Sequence, residues 1–274
     1  MDKTSLGDRM KAYERLSEVT LCPRLPVIIR LDGKGFSRLT KKLDKPFDSK
    51  FMQVMQLTTE YLCKNISGCM LGYTQSDEIS LVLRNDQSLL SQPYFSNRVQ
   101  KLTSISASMA TAAFNAAYHS DPENLSIWGI FDSRTYVVPS ITEACNYLIW
   151  RQQDCTRNSI LGATYYEIAK MPGYGKKTAQ KMMHGLKCDA LQELLFQTTG
   201  INWNNYLGYE KRGTVFRKDL VDISRSISTY NPETCPTVYR ERWLAYPPPI
   251  FTSKEGWEWM LKVLNPPLDP VEET

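Results

Sequence analysis

The 274-residue chain lacks most of the features that mark membrane, secreted and zinc proteins. No stretch approaches the roughly 18–20 consecutive apolar residues of a membrane span. The first residues do not form the apolar core of a signal peptide, so we expect a cytoplasmic protein with no membrane association. Its seven cysteines form no CxxC pair, which favours reduced thiols over a disulfide framework. With two histidines in all, zinc has few ligands, and the remaining metal option is a hard cation bound by carboxylates.

The overall composition is that of an ordinary globular protein, with 42% hydrophobic and 23% charged residues. A chain of this length can bury one sizeable core, or one core with an appendage. The formal net charge of +4 permits a polyanionic partner without demanding one.

The stretch V-I-I-R-L-D-G-K-G-F-S at 27–37 predicts a buried strand that ends in Asp32, followed by a turn with Gly33 and Gly35. A carboxylate at the end of a buried strand is held rigidly, and glycines let backbone groups approach a phosphate or a metal closely. A strand that ends in an Asp-Gly turn also occurs in folds without such a site, so this stretch alone leaves both interpretations open.

A second stretch, M-L-G-Y-T-Q-S-D-E-I-S-L-V-L at 70–83, predicts a β-hairpin whose tip carries Asp77 and Glu78. Because side chains alternate across a strand, we expect these two carboxylates to face opposite sides, so that only one of them joins Asp32. The order strand, helix, hairpin brings the end of the first strand beside the hairpin tip. Asp32 and Asp77 are then placed to share one or two divalent ions.

Helical patterns flank the hairpin, one at 48–65 with Asp48 or Ser49 as its cap, the other at 91–119. Their predicted inward residues are Phe51, Met52, Met55, Leu57, Tyr61 and Leu62 in the first, and Val99, Leu102, Ile105, Met109, Ala113 and Ala117 in the second. A strand pair or one long bent strand is predicted at 128–139, where Asp132 and Arg134 are expected to pair locally. The resulting order β-α-β-β-α-β predicts an α+β fold, a ferredoxin-like polymerase palm with helical and extended C-terminal additions.

Basic residues form two clusters. Lys41, Lys42 and Lys45 follow the first turn, either as a solvated face or as phosphate contacts. Residues 170–187 interleave five lysines with Tyr174, which suits a nucleic-acid backbone and equally suits an ordinary soluble loop and helix.

We divide the chain into a palm-like catalytic core at 1–139, a helical and basic region at 140–230 that completes the catalytic domain, and a proline-rich tail at 231–274 that we expect to be extended. An amphipathic helix is predicted at 2–20. Within the middle region we expect a helix at 141–155 with a polar capping network after it, a short helix at 189–199 and a basic strand at 211–218.

Five motifs, in this order along the chain, resemble the tRNA-His guanylyltransferase family. They are R-L-D-G-K-G-F at 30–36, Q-S-D-E at 75–78, F-D-S-R at 131–134, W-R-Q-Q-D-C at 150–155 and K-R-G-T at 211–214, and the match runs from about Leu6 to Arg217. Each motif alone is weak, whereas the ordered set is specific. The resemblance implies a palm-containing enzyme that adds nucleotides to the 5′ end of tRNA in the 3′-to-5′ direction, and it implies a homotetramer.

The same resemblance assigns site residues. It implies that Asp32 and Asp77 bind two Mg²⁺ ions together with the backbone carbonyl of Gly33, and we add Glu78 as a third catalytic candidate. The predicted contacts to the nucleotide, GTP or ATP, are Asp32, Gly33, Lys34, Gly35, Phe36, Ser37, Ser76 and Asp77. The predicted tRNA contacts are Arg151, Arg157, Lys176, Lys177, Lys181, Lys211 and Arg212.

The residue chemistry is consistent with these assignments. Two carboxylates on adjacent strands can hold the ions that clamp an attacking oxygen and a leaving pyrophosphate, and lysines beside the turn neutralise a triphosphate. In this scheme the 3′-hydroxyl of the incoming nucleotide attacks an activated 5′ phosphate of the tRNA.

One motif departs from the family pattern. Members that place the extra guanylate on tRNA-His carry a histidine-led, asparagine-rich motif just after the W-R-Q-x-D-C stretch, whereas 156–160 here reads T-R-N-S-I. This favours the guanylyltransferase-like branch, which extends 5′-truncated tRNAs by Watson–Crick templating. The alternative is a strict tRNA-His guanylyltransferase that adds one G. More distant alternatives are a nucleotide cyclase, which has no need for the basic second half, and a non-catalytic tRNA-binding protein.

Overall fold

A six-stranded antiparallel sheet forms the centre of the structure, a computed structural model that describes residues 5–121, 127–224 and 237–265. The strands are β1 (Val27–Gly33), β2 (Cys69–Gln75), β3 (Glu78–Leu83), β4 (Phe131–Val137), β5 (Thr214–Asp222) and β6 (Tyr239–Tyr246). Their order is β4-β1-β3-β2-β5-β6, and every neighbouring pair is antiparallel. The first four strands have the 4-1-3-2 order of a ferredoxin-like palm, so the predicted α+β fold is confirmed.

Helices cover both faces of this sheet. The described helices are α1 (Ser5–Arg15), α2 (Phe36–Leu39), α3 (Ser49–Asn65), α4 (Val99–Tyr118), α5 (Ile141–Lys170), α6 (Lys176–Met183), α7 (Cys188–Thr199), α8 (Gly208–Arg212) and α9 (Lys254–Leu264), with short 3₁₀ segments at Thr40–Lys42, Tyr94–Asn97 and Trp203–Asn205. The core on one face packs under α3 and α4, and the core on the other face packs under α5 and α9.

The alternation of side chains along β1 divides the core between the two faces. Val27, Ile29 and Leu31 belong to the cluster under α3 and α4, while Ile28 belongs to the cluster under α5 and α9. All four are at most 2% exposed. Because β1 is packed on both faces, the residues at its C-terminal end are held rigidly at the rim of the sheet.

Helix α3 begins as predicted, and Phe51, Met55 and Leu62 face the core as predicted, but two of the residues expected beside them do not. The carboxylate of Asp48 caps it by accepting a hydrogen bond from the backbone N–H of Phe51 at 2.7 Å. Leu57 and Tyr61, predicted to be buried, are 48% and 44% exposed. Each residue advances about 100° around a helix, so both project to the far side of the helix from the buried Met55.

Helix α4 also differs from its prediction, because it begins at Val99 and its buried stripe is shifted. The buried residues are Leu102, Ser106, Ala110, Phe114, Asn115 and Tyr118, whereas Val99, Ile105, Met109, Ala113 and Ala117 are half-buried. Small residues all round the helix give little apolar contrast, so the large rings of Phe114 and Tyr118 decide which side faces the sheet.

The C-terminal half is more regular than expected. Helix α5 runs for 30 residues, so the predicted end near Cys155 is wrong and 157–159 lie inside the helix rather than in a cap. The predicted helix at 189–199 is confirmed, while the basic strand starts only at Thr214. Residues 239–246 form the extended strand β6, whereas 254–264 form the helix α9, so the expectation of an extended tail is wrong for 254–264. The proline pair at 266–267 lies outside the described residues, and the division into three regions stays a prediction.

Helix α1 contains no buried residue. Its apolar residues Leu6, Met10 and Tyr13 are 56%, 44% and 61% exposed, so the amphipathic pattern predicted at 2–20 faces solvent in the single chain. Residues 2–4 of that prediction lie outside the described residues.

Candidate active site

The candidate site lies where β1 ends beside the two-residue turn between β2 and β3. The backbone N–H of Gly33 donates to the carbonyl oxygen of Asp77 at 3.0 Å, which ties the end of β1 to the turn. In the sheet register, Asp32 lies opposite Glu78 on β3 and opposite Asp132 on β4. The structure therefore brings Asp32 and the Asp77 turn to one rim of the sheet, as the order of elements predicted.

The electrostatics of this rim favour a cation. The pKa of Asp77 is raised above its ordinary value, first because the side chain is largely buried and further because the negative charge of Asp32 opposes ionisation. A divalent ion would offset both causes, and carboxylate oxygens are donors that Mg²⁺ prefers. Among residues 5–121, 127–224 and 237–265, no group of three or more His, Cys, Asp or Glu side chains has a metal-binding arrangement. Ions at this rim would need further oxygen ligands beyond the two carboxylates.

Glu78 does not face away from Asp32, and on this point the expectation from strand alternation is wrong. Directly opposed residues of an antiparallel pair project from the same face of the sheet, so Asp32 and Glu78 share a face. Glu78 is only 4% exposed. Arg30 donates to its Oε2 at 2.6 Å, and Arg151 donates to its Oε1 and Oε2 at 2.6 and 2.8 Å. Glu78 is therefore held by two guanidinium groups rather than offered to a metal.

Arg151 is the centre of a wider ion-pair network. It is 4% exposed. Besides its bonds to Glu78, its Nη2 donates to Oδ2 of Asp154 at 2.9 Å. Asp154 in turn accepts from the exposed Arg157. The centroid of the Trp150 ring lies 4.3 Å from the guanidinium carbon of Arg151 and 5.5 Å from that of Arg30. The charge of Arg151 is buried and satisfied inside the protein, which does not favour the predicted contact of Arg151 to tRNA.

The turn after β1 has glycines for two different reasons. A side chain at Gly33 would put its Cβ 2.6 Å from the ring of Phe36, so glycine is required there by close packing. Gly35 has a φ of 68°, the left-handed region that favours glycine. Lys34, Gly35 and Ser37 are exposed, as their predicted contact to a nucleotide requires. Phe36 is 3% exposed and packs in the core, so only its backbone is available to a ligand.

A cavity of about 200 Å³ opens beside the Asp77 turn. It is walled by the turn residue Ser76, by Lys45 and Phe47 from the segment before α3, and by Asn158 and Ser159 from the middle of α5. A partly open space of this kind beside the Asp77 turn is the common arrangement of a small-molecule substrate site. The cluster at 41–45 is divided, since Lys41 and Lys42 are exposed while Lys45 lines the cavity.

The other predicted RNA contacts occupy two surfaces. Lys176, Lys177 and Lys181 are exposed on α6. Lys211 and Arg212 are half-buried at the end of α8, where Lys211 donates to the carbonyl of Asn204. Burial and the neighbouring Arg212 lower the pKa of Lys211. Asp132 and Arg134 pair locally at 3.5 Å, as predicted.

Residue-level reasoning missed two parts of the site. The partners of Glu78 were not foreseen, although Arg30 was a signal, because a charged residue within an otherwise apolar buried strand requires a counter-charge. The cavity residues Lys45, Asn158 and Ser159 come from distant parts of the chain, and no local pattern joins them to Ser76.

A palm with two carboxylates at its rim and a cavity beside them is the arrangement of a nucleotidyl-transfer enzyme. A family model described as tRNAHis guanylyltransferase matches residues 7–139, and the model of the Thg1 C terminal domain matches residues 142–241. A tRNA(His) guanylyltransferase of Schizosaccharomyces pombe is 32% identical over 217 residues, which are 78% of this chain and 80% of the relative.

Solved structures give the same result. A bacterial tRNA(HIS) guanylyltransferase (Thg1)-like protein in complex with ATP superposes with a TM-score of 0.76 and 35% identity, covering 94% of this chain and 100% of the other. A GTP complex of a bacterial protein of the same description gives 0.74 and 33%, covering 96% and 100%. The chain belongs to the tRNA(His) guanylyltransferase family, as its motifs predicted, and is a nucleotidyltransferase of this type. None of its described helices is long and apolar enough to cross a membrane.

Proposed function

We propose that this enzyme extends the 5′ end of truncated tRNA in the 3′-to-5′ direction and selects each nucleotide by pairing with the opposing strand. The observation that carries the proposal is the cavity beside the Asp77 turn, with Ser76 in its wall, next to two carboxylates whose mutual repulsion calls for cations. The alternative within the family is addition of a single G to tRNA-His.

The nucleoside triphosphate, GTP or ATP, would bind between the turn after β1 and this cavity. Lys34 and Ser37 are exposed on the turn and would contact the phosphates, with Gly35 and Phe36 contributing backbone N–H groups. Lys45 lines the cavity and would add a further positive charge. The base and sugar would lie in the cavity, where Asn158 supplies an amide able to donate and accept hydrogen bonds.

Asp32, Asp77 and the Gly33 carbonyl would hold two Mg²⁺ ions. The donor set fits, because hard oxygen ligands and an uncompensated pair of carboxylates suit this ion, with substrate phosphates completing its coordination. When bound, the ions stabilise negative charge on the attacking and leaving oxygens of nucleotidyl transfer. Glu78 is a positioning residue in this scheme, since its ion pairs with Arg30 and Arg151 fix the strand that begins directly after Asp77.

The RNA would lie on the positive side chains of the C-terminal half. Lys176, Lys177 and Lys181 are exposed on one short helix and suit phosphate contacts, and exposed Arg157 lies close to the cavity residue Asn158 in sequence. Lys211 and Arg212 are half-buried and would contact RNA only over part of their surface. A cytoplasmic location and a homotetramer complete the proposal.

The sequence at 156–160 supports the repair reaction over strict tRNA-His guanylylation. The segment T-R-N-S-I at 156–160 has no histidine, and it contributes Asn158 and Ser159 to the cavity wall. A mispaired nucleotide cannot hold its 3′-hydroxyl in line with the activated 5′ end, and a misplacement of about 1 Å costs roughly a hundredfold in rate.

The test is a panel of 5′-truncated tRNAs that differ only in the templating base, incubated with Mg²⁺ and each labelled nucleotide in turn. We expect G opposite C and every other nucleotide opposite its complement, with addition at a mismatch slower by about a hundredfold. G added whatever the templating base, or only to tRNA with the His anticodon, would replace the proposal with the strict guanylyltransferase. Label in a cyclic nucleotide would indicate a cyclase, and label in no product a non-catalytic RNA-binding protein.

A further inference from the structure

A second cavity, shallow and widely open to solvent, adjoins the first across α5. It has a volume of about 410 Å³ and lies between α5 and α6, with Tyr165 from α5 and Gln180, Met183 and His184 from the α6 side in its wall. Gly162 lines both cavities. Whatever occupies the second cavity, called here the α5–α6 groove, is therefore adjacent to the occupant of the first.

Gly162 is not explained by packing. It lies in the interior of α5, where glycine is the least favoured residue other than proline. No atom lies within 4 Å of the position that a Cβ would occupy there. The open space on its surface is the shared edge of the two cavities, so a side chain at 162 would obstruct the passage between them.

Tyr165 provides an aromatic surface in the α5–α6 groove. Its ring is supported by Tyr166, with the centroids 4.9 Å apart and the planes at 74°. The ammonium group of Lys45, which lines the first cavity, lies 5.7 Å from the Tyr166 ring centroid. Stacking of a nucleobase on such a ring needs no particular base, because every base has a π-face.

The charged side chains beside the groove indicate what kind of molecule it binds. Lys177, Gln180, Lys181 and His184 have the spacing i, i+3, i+4, i+7, which places them along one side of the α6 segment, and all four are exposed. An apolar groove with an aromatic ring and cations along its border fits a nucleotide, with its base inside and its phosphate on the lysines. A hydrophobic peptide would leave these cations without a partner.

We propose that the α5–α6 groove binds an unpaired nucleotide of the RNA strand opposite the reacting 5′ end, its base stacked on Tyr165 and its backbone along α6. This inference rests on the proposed function, since the first cavity must hold the incoming nucleotide for the groove to lie beside the reacting end. On a truncated tRNA, the unpaired strand at that end is the single-stranded 3′ end.

The test measures binding of a labelled acceptor-stem RNA with a recessed 5′ end and a 3′ overhang, against the same RNA with abasic nucleotides in the overhang. At fixed salt the wild-type protein should bind the abasic RNA about tenfold more weakly, within the range of one base–aromatic stack. Tyr165→Leu should bind both RNAs equally and about as weakly as the wild type binds the abasic one, whereas Tyr165→Phe should behave like the wild type. Gly162→Leu should also lose the preference for the intact overhang, with no loss of thermal stability.

Phe196→Leu is the matched control, because Phe196 is 52% exposed on α7 and does not line the groove; it should bind like the wild type. Equal binding of the two RNAs by the wild type, or full discrimination by Tyr165→Leu, would overturn the inference. So would a Tyr165→Leu variant with unchanged RNA binding but an altered sedimentation coefficient, which would assign the groove to a second copy of the chain. Templated addition by a wild type that binds the intact and the abasic overhang equally would leave the proposed function intact and remove the groove alone.

Discussion

Arg151 donates from its Nε to Oε1 of Glu78 at 2.6 Å, and both side chains are 5% exposed. The two residues are separated by 73 positions in sequence and join α5 to the first residue of β3. Because Asp77 directly precedes Glu78, this buried ion pair fixes the backbone that presents the candidate metal ligand. The pair costs desolvation on both sides, and it is satisfied by Arg30 and Asp154 on its outer edges.

Glu78→Gln should therefore lower the unfolding free energy more than Asp77→Asn does, and it should lower turnover less. Removing one charge from a buried, hydrogen-bonded pair typically costs about 3–5 kcal/mol, because the partner charge remains buried without compensation. Here two guanidinium groups would be left without their carboxylate, so we expect the unfolding free energy to fall by about 3 kcal/mol or more. Denaturant unfolding measures it.

Glu241→Gln is the control for that substitution. Glu241 pairs with Lys218 at 3.4 Å, and the two side chains are 62% and 52% exposed. Exposed pairs contribute about 0–1 kcal/mol, so this variant should unfold like the wild type. A Glu78→Gln loss no larger than that of Glu241→Gln would show that the buried network does not stabilise the fold.

The parts of the site that a sequence can predict are local, and the parts that it cannot predict are long-range. The end of β1, the hairpin tip and the Asp48 cap follow from consecutive residues whose patterns are strong. The 30-residue length of α5 was missed because buried polar residues, Arg151, Gln152 and Ser159, interrupt its apolar periodicity. Such residues are buried only because distant partners satisfy them, as Trp203 does by donating to Ser159 at 3.1 Å.

Asp77→Asn should show the reverse of Glu78→Gln, with a large loss of activity and no loss of stability. The raised pKa of Asp77 means that its ionised form is disfavoured in the folded protein, first by burial and then by Asp32. A carboxyl group with a raised folded pKa destabilises the fold at neutral pH, and this effect fades as the pH falls through that raised pKa. The variant should therefore melt higher than the wild type at neutral pH and similarly in acid. Nucleotide addition should fall by two orders of magnitude or more, since metal stabilisation of the transition state amounts to about several kcal/mol.

Titration with Mg²⁺ completes the Asp77 prediction. Mg²⁺ should raise the melting temperature of the wild type, because a ligand that binds only the folded state stabilises it, and should do so far less for Asp77→Asn. Glu241→Gln is again the control, as Glu241 is exposed on β6 and paired with Lys218. An equal Mg²⁺ response in the wild type and Asp77→Asn would remove Asp77 from the metal site, and near wild-type turnover would remove it from the reaction.

Replacing Lys176, Lys177 and Lys181 together by alanine should weaken tRNA binding and flatten its dependence on salt. Each phosphate contact contributes roughly 0.7–0.9 to the slope of log K against log [salt], so three contacts amount to about 2–3. GTP affinity should be unchanged. A triple variant of exposed lysines on other elements, Lys64, Lys101 and Lys262, is the control for net charge. Equal slopes in the two triple variants would make the α6 lysines an ordinary solvated face.

Phe36 tests which atoms of the turn after β1 contact the nucleotide. Its ring packs against Phe114 and Phe131, each with centroids 5.1 Å away, so the side chain belongs to the core and only the backbone can reach a ligand. Phe36→Leu keeps an apolar side chain and should lower the unfolding free energy by about 1–1.5 kcal/mol while leaving GTP affinity within about twofold. Phe36→Ala should cost about 3–5 kcal/mol. Isothermal titration with GTP well below the melting temperature is the measurement. If Phe36→Leu lost GTP binding while still folded and thermally stable, the ring itself would contact the nucleotide, and its buried position in the core would not describe the nucleotide-bound enzyme.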